Sequence, residues 1–356
     1  MSLEEKADKP KDRLEVTVTA DKGIIISETL SAINEVDFPV ITGIKNVYKK
    51  LNLKEFLDKY EILRINTRCI NNGITTREDS YYLTGTGASA VVFCTGDLKE
   101  AWKFSDNATY LLHEYFCLES IKTANKGNLT NVIEVLGTLQ EGETGDLGFP
   151  EVLCIRYING DSLEDILKHN LKQLGSYSPT KILKYGIGIA FSPEKVIKYG
   201  AGIMNGLIEM RRAKIWYHRD IRPANIMIDE ERDEPVIVDF GIATEDRQAL
   251  PKNNKRFGGP NDLTSLGQVM YYMATGMHLF DQSQSMSRTF GSVADEINDY
   301  RTKVYSDPTG KLLEQHLGQV DSEIKDERVA TLIKSCLTAR RGQYKRMQRM
   351  FRRYEE

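Results

Sequence analysis

Cysteine is scarce in this sequence, and the five cysteines do not form pairs. They stand singly along the 356 residues, at Cys69, Cys94, Cys117, Cys154 and Cys336. This scattering excludes the paired spacing of a zinc site and the cysteine density of a disulfide-stabilised scaffold. Isolated thiols of this kind fit a reducing compartment, so we expect a cytoplasmic protein.

Long apolar runs and a dominant charge sign are missing as well. No segment approaches the roughly 20 apolar residues that cross a bilayer, and the charged start MSLEEKADKPKDRLEV has no signal-peptide core. The 48 Lys and Arg nearly balance the 51 Asp and Glu, which leaves a net charge of -3. We therefore expect no membrane partner, and no nucleic-acid partner drawn in by overall charge.

The composition that is present, 40% hydrophobic and 28% charged, is typical of a folded globular protein. Residues 1–79 are predicted to be an N-terminal extension. After a polar start, LEVTVTADKGIIIS alternates like a strand, a turn and a second strand. Apolar residues then recur at helical spacing between Val47 and Tyr60, which predicts a small α-containing element.

From Ser80 onward, short strands and glycine-rich turns replace that pattern. YYLTGTGASAVVFCTGDLKEAWKFS predicts three strands joined by two turns, followed by a helix around Tyr110 to Ala124 and two more strands, VIEVLGTLQ and EVLCIRYI. After Asp161 the pattern is mainly helical up to a strand pair flanking residues 226 to 238. The order predicts an α+β fold with a β-rich lobe at 80–158 and a mainly α-helical lobe at 159–356.

The segments YHRDIRPANIMID and PVIVDFGIAT carry the strongest chemical signal. Asp220 and Asn225 stand in an HRDxxxxN pattern, and Asp239 of DFG follows Asp220 by 19 residues with apolar strand residues between. These motifs resemble the catalytic-loop and metal-binding signatures of protein kinases, over about Tyr81 to about Lys345. The resemblance implies the bilobal kinase fold, ATP and Mg2+ as cofactors, and a protein hydroxyl as acceptor.

The resemblance also implies a role for each motif residue. Asp220 would be the catalytic base, Asn225 and Asp239 would bind the metal, and Arg222 would neutralise the transferring phosphate. Lys103 in EAWKF would act in catalysis and contact the nucleotide phosphates, paired with a glutamate of the following helix. Periodicity favours Glu114 over Glu119 as that partner. Leu118, His218 and Phe240 would stack as an apolar spine.

Further nucleotide contacts are implied by two other segments. GTGASAVV resembles the phosphate-covering loop, although Ala90 replaces its third glycine, and LCIRYINGDSLEDIL resembles the segment that contacts adenine and ribose. The residues expected to contact the nucleotide here are Gly85, Thr86, Gly87, Ala88, Val92, Ala101, Arg156, Ile158 and Asp161. Ser162 is an alternative to Asp161 near the ribose, and either residue could instead cap the helix that follows.

The chain departs from the family after DFG, because the APE motif is missing. DLTSLGQVMYYMATG resembles the family's next helix, with Asp262 anchoring the catalytic loop, but it begins shortly after Gly241. Thr244 is the single hydroxyl residue in 242–261, whereas Arg247, Lys252, Lys255 and Arg256 make the segment basic. We therefore expect activity without phosphorylation of this segment.

Three functions remain open at this point. The first is a Ser/Thr-type protein kinase that also phosphorylates itself. The second keeps the fold but transfers phosphate to a small-molecule acceptor, which the short segment favours. The third is a nucleotide-binding scaffold without turnover, which Lys103, Asp220, Asn225 and Asp239 argue against. At the C-terminus, the basic and amphipathic RRGQYKRMQRMFRRYEE predicts a packing helix or a basic docking surface.

Overall fold

The computed structural model describes residues 14–19, 23–28, 63–71, 75–86, 90–95, 99–105, 108–140, 151–167, 191–246, 261–281, 290–340 and 342–355. The chain divides into two compact units. The first comprises Met1–Tyr115 and Val135–Tyr157, and the second comprises Phe116–Glu134 and Ile158–Glu356. Each unit is described by itself below.

The first unit is built on one eight-stranded sheet with the order β2-β1-β3-β4-β5-β6-β8-β7. Its strands are β1 (Leu14–Thr19), β2 (Gly23–Glu28), β3 (Leu63–Asn71), β4 (Thr75–Thr86), β5 (Val91–Thr95), β6 (Glu100–Phe104), β7 (Val135–Gln140) and β8 (Glu151–Arg156). β1 and β3 pair in parallel, and the other neighbours are antiparallel. Helix α1 (Ala108–Ala124) follows β6.

The strands predicted from alternation and turn residues are present in this sheet, including the pair of strands in LEVTVTADKGIIIS. β3 of the extension hydrogen-bonds to β4, from Arg64 opposite Tyr82 to Asn71 opposite Thr75, so the extension continues the sheet of the following segment. The predicted helical spacing between Val47 and Tyr60 lies outside the described residues.

The second unit is mainly helical. Its elements are α2 (Pro193–Arg212), a 3-10 turn (Pro223–Asn225), β9 (Ile226–Asp229), β10 (Glu234–Ile237), α3 (Asp262–Thr275), α4 (Phe290–Ser306), α5 (Lys311–Glu323), α6 (Glu327–Leu337) and α7 (Tyr344–Glu355). The strands β9 and β10 form an antiparallel pair. A sheet-containing unit and a mainly helical one confirm the predicted α+β class.

Helix α2 packs against α3 and α7 in the core of the second unit, and glycine allows the close approach. A Cβ atom at Gly200 would lie 2.9 Å from Phe351 and 3.0 Å from Met270. Phe351 and Met347 of α7 are buried, while its Lys and Arg side chains are mostly exposed. The C-terminal segment is therefore a packing helix, as predicted, with a basic outer face.

Candidate active site

Asp262 anchors the loop that carries the HRD motif. One carboxylate oxygen of Asp262 accepts a hydrogen bond from the His218 backbone N–H at 2.8 Å, and the other accepts from the Arg219 N–H at 3.0 Å. Arg219 has a φ of +73°, a left-handed conformation that costs a non-glycine residue about 1–3 kcal/mol. The two hydrogen bonds from Asp262 hold this strained backbone in place, so the predicted anchor is confirmed.

The sequence PNDLTSLG places Asp262 at the first position of α3. Asn261 caps the helix: its side chain accepts from the Leu263 and Thr264 amides, while the Thr264 hydroxyl accepts from the Asn261 N–H at 2.9 Å. This capping box fixes the start of the helix. Because Asp262 is fully buried there, burial raises its pKa, while His218 and the loop amides act in the opposite direction. A carboxylate is also favoured at a helix N-terminus.

His218 is buried and neutral. Its Nδ1 accepts the Asp220 backbone N–H at 3.3 Å, and its Nε2 lies 3.1 Å from the Val238 carbonyl, so the proton belongs on Nε2. Burial lowers the pKa of His218, which keeps this tautomer uncharged. The ring packs edge-to-face on Phe240, with centroids 4.7 Å apart. Two members of the predicted spine are therefore in contact, and Leu118, the third, is fully buried in the same unit.

Asp220 is the carboxylate that this loop presents. Its Oδ2 accepts a hydrogen bond from Asn225 Nδ2 at 2.7 Å and lies 3.2 Å from the Nε atom of Arg222. Asn225 Nδ2 also donates to the Asp220 carbonyl at 3.0 Å. Both contacts use the amide nitrogen, so the amide oxygen of Asn225 is the atom left to serve as a metal ligand.

Asp239 begins the DFG motif just after β10. Its φ of +65° is a second strained, left-handed position beside the HRD loop. Within the described ranges no group of three or more His, Cys, Asp or Glu side chains could hold a metal by itself. A carboxylate from Asp239 and an amide oxygen from Asn225 are hard oxygen donors. They suit Mg2+, which commonly takes one or two protein ligands and completes its shell with phosphate and water.

The first unit carries a buried ion pair. Lys103, in the middle of β6, donates to Glu114 Oε2 on α1 at 2.7 Å, and both residues are buried. The structure therefore places Glu114, and not Glu119, beside the lysine. The ammonium group also lies 5.3 Å from the centre of the Tyr110 ring. Such a buried pair is costly to break because either charge would be left without its partner.

The predicted phosphate-covering loop is described only at its ends. Gly85 and Thr86 close β4, opposite Val92 and Val91 of β5, after a register shift between Leu83 and Gly85. Gly87 and Ala88 lie outside the described residues. On the neighbouring strand, Ala101 is buried and pairs with Cys94 and Ile155.

The segment predicted to contact adenine and ribose runs from the end of β8 into the second unit. Arg156 lies opposite Glu100 in the antiparallel pairing of β8 with β6, and the Tyr157 N–H donates to the Lys99 carbonyl at 2.9 Å.

Further along this segment, Ile158 is buried, whereas Asp161 is exposed. The Ser162 hydroxyl donates to Asp165 at 2.6 Å and accepts the Asp165 N–H at 3.1 Å. Ser162 is therefore the helix cap, and Asp161 keeps its side chain at the surface.

After DFG, backbone hydrogen bonds hold the chain at Thr244 against residues 216 and 217. Thr244 donates its N–H to the Tyr217 carbonyl and accepts the Trp216 N–H at its own carbonyl, both at 2.8 Å. Its hydroxyl accepts the Asp246 N–H at 3.1 Å. The predicted basic segment, from Arg247 to Arg256, lies outside the described residues.

Sequence reasoning missed a hydrogen-bonded link between α2 and the loop after α1. Glu209 is buried and accepts the Thr130 and Asn131 backbone amides at 3.1 and 3.3 Å. Burial is the largest influence on its pKa and raises it. Asn131 in turn donates to the Pro235 carbonyl at 2.8 Å. The mid-helix glutamate on a buried face was the available signal, since such a carboxylate needs donors.

Comparison with known proteins gives a consistent result. The family model for the protein kinase domain matches residues 85–350. A probable serine/threonine-protein kinase PknB from Bifidobacterium longum is 27% identical over 195 residues, which are 49% of this chain and 25% of that protein. A probable serine/threonine-protein kinase CPE1738 from Clostridium perfringens is 27% identical over 183 residues, 47% of this chain and 23% of that protein.

Mitogen-activated protein kinase kinase 3 from Arabidopsis thaliana is 26% identical over 161 residues, which are 41% of this chain and 26% of that protein. The matched region thus spans about a quarter of the length of these curated relatives. Among the residues that the structure describes, no helix is both long and apolar enough to cross a membrane.

Proposed function

The chain belongs to the protein kinase family, and we propose that it transfers the γ-phosphate of Mg-ATP to a serine or threonine hydroxyl of a protein acceptor. The observation that carries this proposal is that the Asp220 carboxylate is held in one orientation by its neighbours. Its carboxylate is oriented by Asn225 and Arg222, on a loop that Asp262 fixes through two backbone hydrogen bonds. This is the support that a base positioning an acceptor hydroxyl requires.

In this proposal the remaining site residues offset the negative charge of the ATP phosphates. Lys103, held by Glu114, would contact the phosphates of ATP, and the Arg222 guanidinium beside Asp220 would neutralise the transferring group. Asn225 and Asp239 would hold Mg2+, which, when bound, offsets the negative charge of the phosphates.

The nucleotide contacts implied by the family resemblance remain part of the proposal. Gly85, Thr86, Gly87 and Ala88 would lie over the phosphates. Those expected around the adenine and ribose are Val92, Ala101, Arg156, Ile158 and Asp161. The exposed Asp161 suits a ribose contact better than Ser162, whose hydroxyl is engaged in capping.

We also propose autophosphorylation and a cytoplasmic location, the latter supported by five cysteines that stand singly along the sequence. A small-molecule acceptor is the second candidate. The observation that favours it is the short segment between Gly241 and Asp262, which leaves little chain for docking a peptide.

The deciding experiment supplies purified protein with Mg2+ and γ-labelled ATP, alone and with basic and acidic protein acceptors. We expect label on protein that disappears in Asp220→Ala and in Lys103→Met. ATP consumption without labelled protein would favour the small-molecule acceptor. ATP binding with no consumption, and no difference between wild type and Asp220→Ala, would refute the proposal and indicate a scaffold.

A further inference from the structure

A small recess of about 20 Å3 opens to solvent beside the catalytic loop, within the second unit. Its walls come from the loop residues 221–223, from α3, from α4 and from the turn at His278. Two arginines line it, Arg222 from the loop and Arg301 from α4, and no acidic residue is found among its described lining residues. The recess is therefore positively charged and adjoins the Asp220 carboxylate, 3.2 Å from Arg222.

Arg301 is a cation without an ionic partner in the described part of the chain. Its Nε atom is buried and has no hydrogen-bond partner there, and one terminal nitrogen donates to the Ser265 hydroxyl at a long 3.5 Å. Burial is the largest influence on the pKa of Arg301 and lowers it. Arg301 as a whole is only partly buried. Among the described residues its guanidinium makes one weak contact, and its buried Nε donor lacks the acceptor that a buried polar group normally has.

Neither of the two carboxylates closest to Arg301 in electrostatic influence forms an ion pair with it. Asp220 and Asp262 are the carboxylates whose charges act on Arg301. Asp262 uses both oxygens on backbone amides, and Asp220 is engaged by Asn225 and Arg222. An anionic ligand in the recess would therefore give Arg301 an ionic partner that the described residues do not provide.

The other polar walls of the recess also suit an anion. Ser265 presents a hydroxyl that can donate. Burial lowers the pKa of His278 to about 4. The ring is therefore neutral at pH 7 and neither repels nor strongly attracts an anion in the recess. The apolar lining, which includes Val269 and Leu279, lowers the local dielectric and strengthens a charge-assisted contact.

We propose that this recess binds an anionic side chain of the protein acceptor, a carboxylate or a phosphorylated residue close to the hydroxyl that is phosphorylated, with Arg301 as the specificity-determining residue. The proposal rests on the proposed protein kinase activity. Because Arg222 touches both the recess and Asp220, an anion held here would place the neighbouring hydroxyl near the base.

The test is a positional-scanning set of peptides with one central serine, in which Glu, Gln, Lys and phosphoserine are compared at each flanking position. Glu and Gln differ in charge and hardly in size. At one or two positions we expect wild type to prefer Glu over Gln by roughly 10- to 100-fold in kcat/KM, the range for a charge-assisted hydrogen bond. The phosphoserine peptides show which of the two anionic groups is preferred.

Variants of Arg301 then locate the preference. In Arg301→Met the Glu-to-Gln ratio should fall to about 1, and in Arg301→Glu a lysine at the same position should become the preferred residue. Lys303→Met removes an exposed cation from the same helix and should keep the wild-type ratio. Denaturant unfolding of Arg301→Met is expected at the wild-type midpoint or above it, because a partly buried cation with no ionic partner among the described residues does not stabilise the fold.

The possible results separate the two proposals. Peptide labelling that shows no acidic preference at any position, or a preference that survives in Arg301→Met, would overturn the inference while leaving the kinase activity established. A clear loss of stability in Arg301→Met would overturn it too, since Arg301 would then have a structural role. Failure to label any peptide or protein would refute the proposed function and the inference together.

Discussion

Removal of the Asp262 carboxylate should weaken both the fold and the catalysis of this protein. In Asp262→Ala the His218 and Arg219 amides lose their acceptor inside the protein. A buried donor without a partner costs about 1–3 kcal/mol, and relief of the buried carboxylate's own desolvation offsets part of that cost. We expect a net loss of about 3 kcal/mol in the free energy of unfolding. In Asp262→Asn one acceptor oxygen remains, so the expected loss is about half.

The loss can be read from urea unfolding followed by tryptophan fluorescence. The protein has two tryptophans, Trp102 in the first unit and Trp216 in the second. In a Trp102→Phe background Trp216 reports on the unit that contains Asp262. With an m value of about 3 kcal/mol/M, a loss of 3 kcal/mol lowers the midpoint by about 1 M. Asp299→Ala, which removes an exposed carboxylate from α4, should shift it little.

Catalysis gives an independent measure of the same contact. Arg219 is held at a strained φ by this anchor, and Asp220 follows it directly. If the loop relaxes, the base moves, and a displacement of about 1 Å can cost 100-fold in rate. We expect kcat to fall by roughly 10- to 100-fold in Asp262→Ala. An unfolding midpoint and a kcat both equal to wild type would refute the reasoning.

Three other predictions follow from the described contacts. His278 has a pKa of about 4 in the folded state and 6.5 when unperturbed; the unfolding free energy therefore falls as pH drops from 6.5 toward 4, and His278→Phe should reduce the loss between pH 7.5 and 5 by about 2 kcal/mol in urea titrations. Gly206→Ala, whose Cβ would lie 2.6 Å from a backbone oxygen, should lower the thermal midpoint, whereas Gly318→Ala on α5, with nothing within 4 Å, should add about 0.5–1 kcal/mol. Thr244→Ala should keep full phosphate transfer; lost transfer with intact ATP binding would contradict this.

Features set by local sequence could be predicted well. Alternating apolar residues and turn glycines gave the strands of the first unit, and the predicted helix from Tyr110 to Ala124 is present as Ala108–Ala124. The HRD and DFG motifs could be assigned because both resemble protein-kinase signatures and stand at the expected spacing, with two short strands between them. The family resemblance implied a lysine–glutamate pair, and helical periodicity favoured Glu114 over Glu119 as the partner of Lys103.

Features that depend on distant partners could not be predicted in this way. Glu209 binds amides 79 and 78 positions away in the sequence, and no local pattern identifies such donors. The choice of Ser162 as a helix cap was open because Asp161 is an equally suitable residue type. Arg301 carried no signal at all, since a charged residue in an amphipathic helix is usually solvated.

The fully buried Asp262 and the partly buried Arg301 lie beside the catalytic loop and differ in their hydrogen-bond partners, and this difference sets the sign of their effect on stability. Asp262 finds both hydrogen-bond donors within the chain, so removing it strands two amides and destabilises the fold. Arg301 lacks an ionic partner among the described residues, so replacing it by an apolar side chain should be neutral or stabilising. A charge that does not stabilise the fold is available to bind a ligand, which is the role proposed for Arg301. The stability of Arg301→Met, set beside that of Asp262→Ala, therefore separates a charge that holds the loop from one that awaits a ligand.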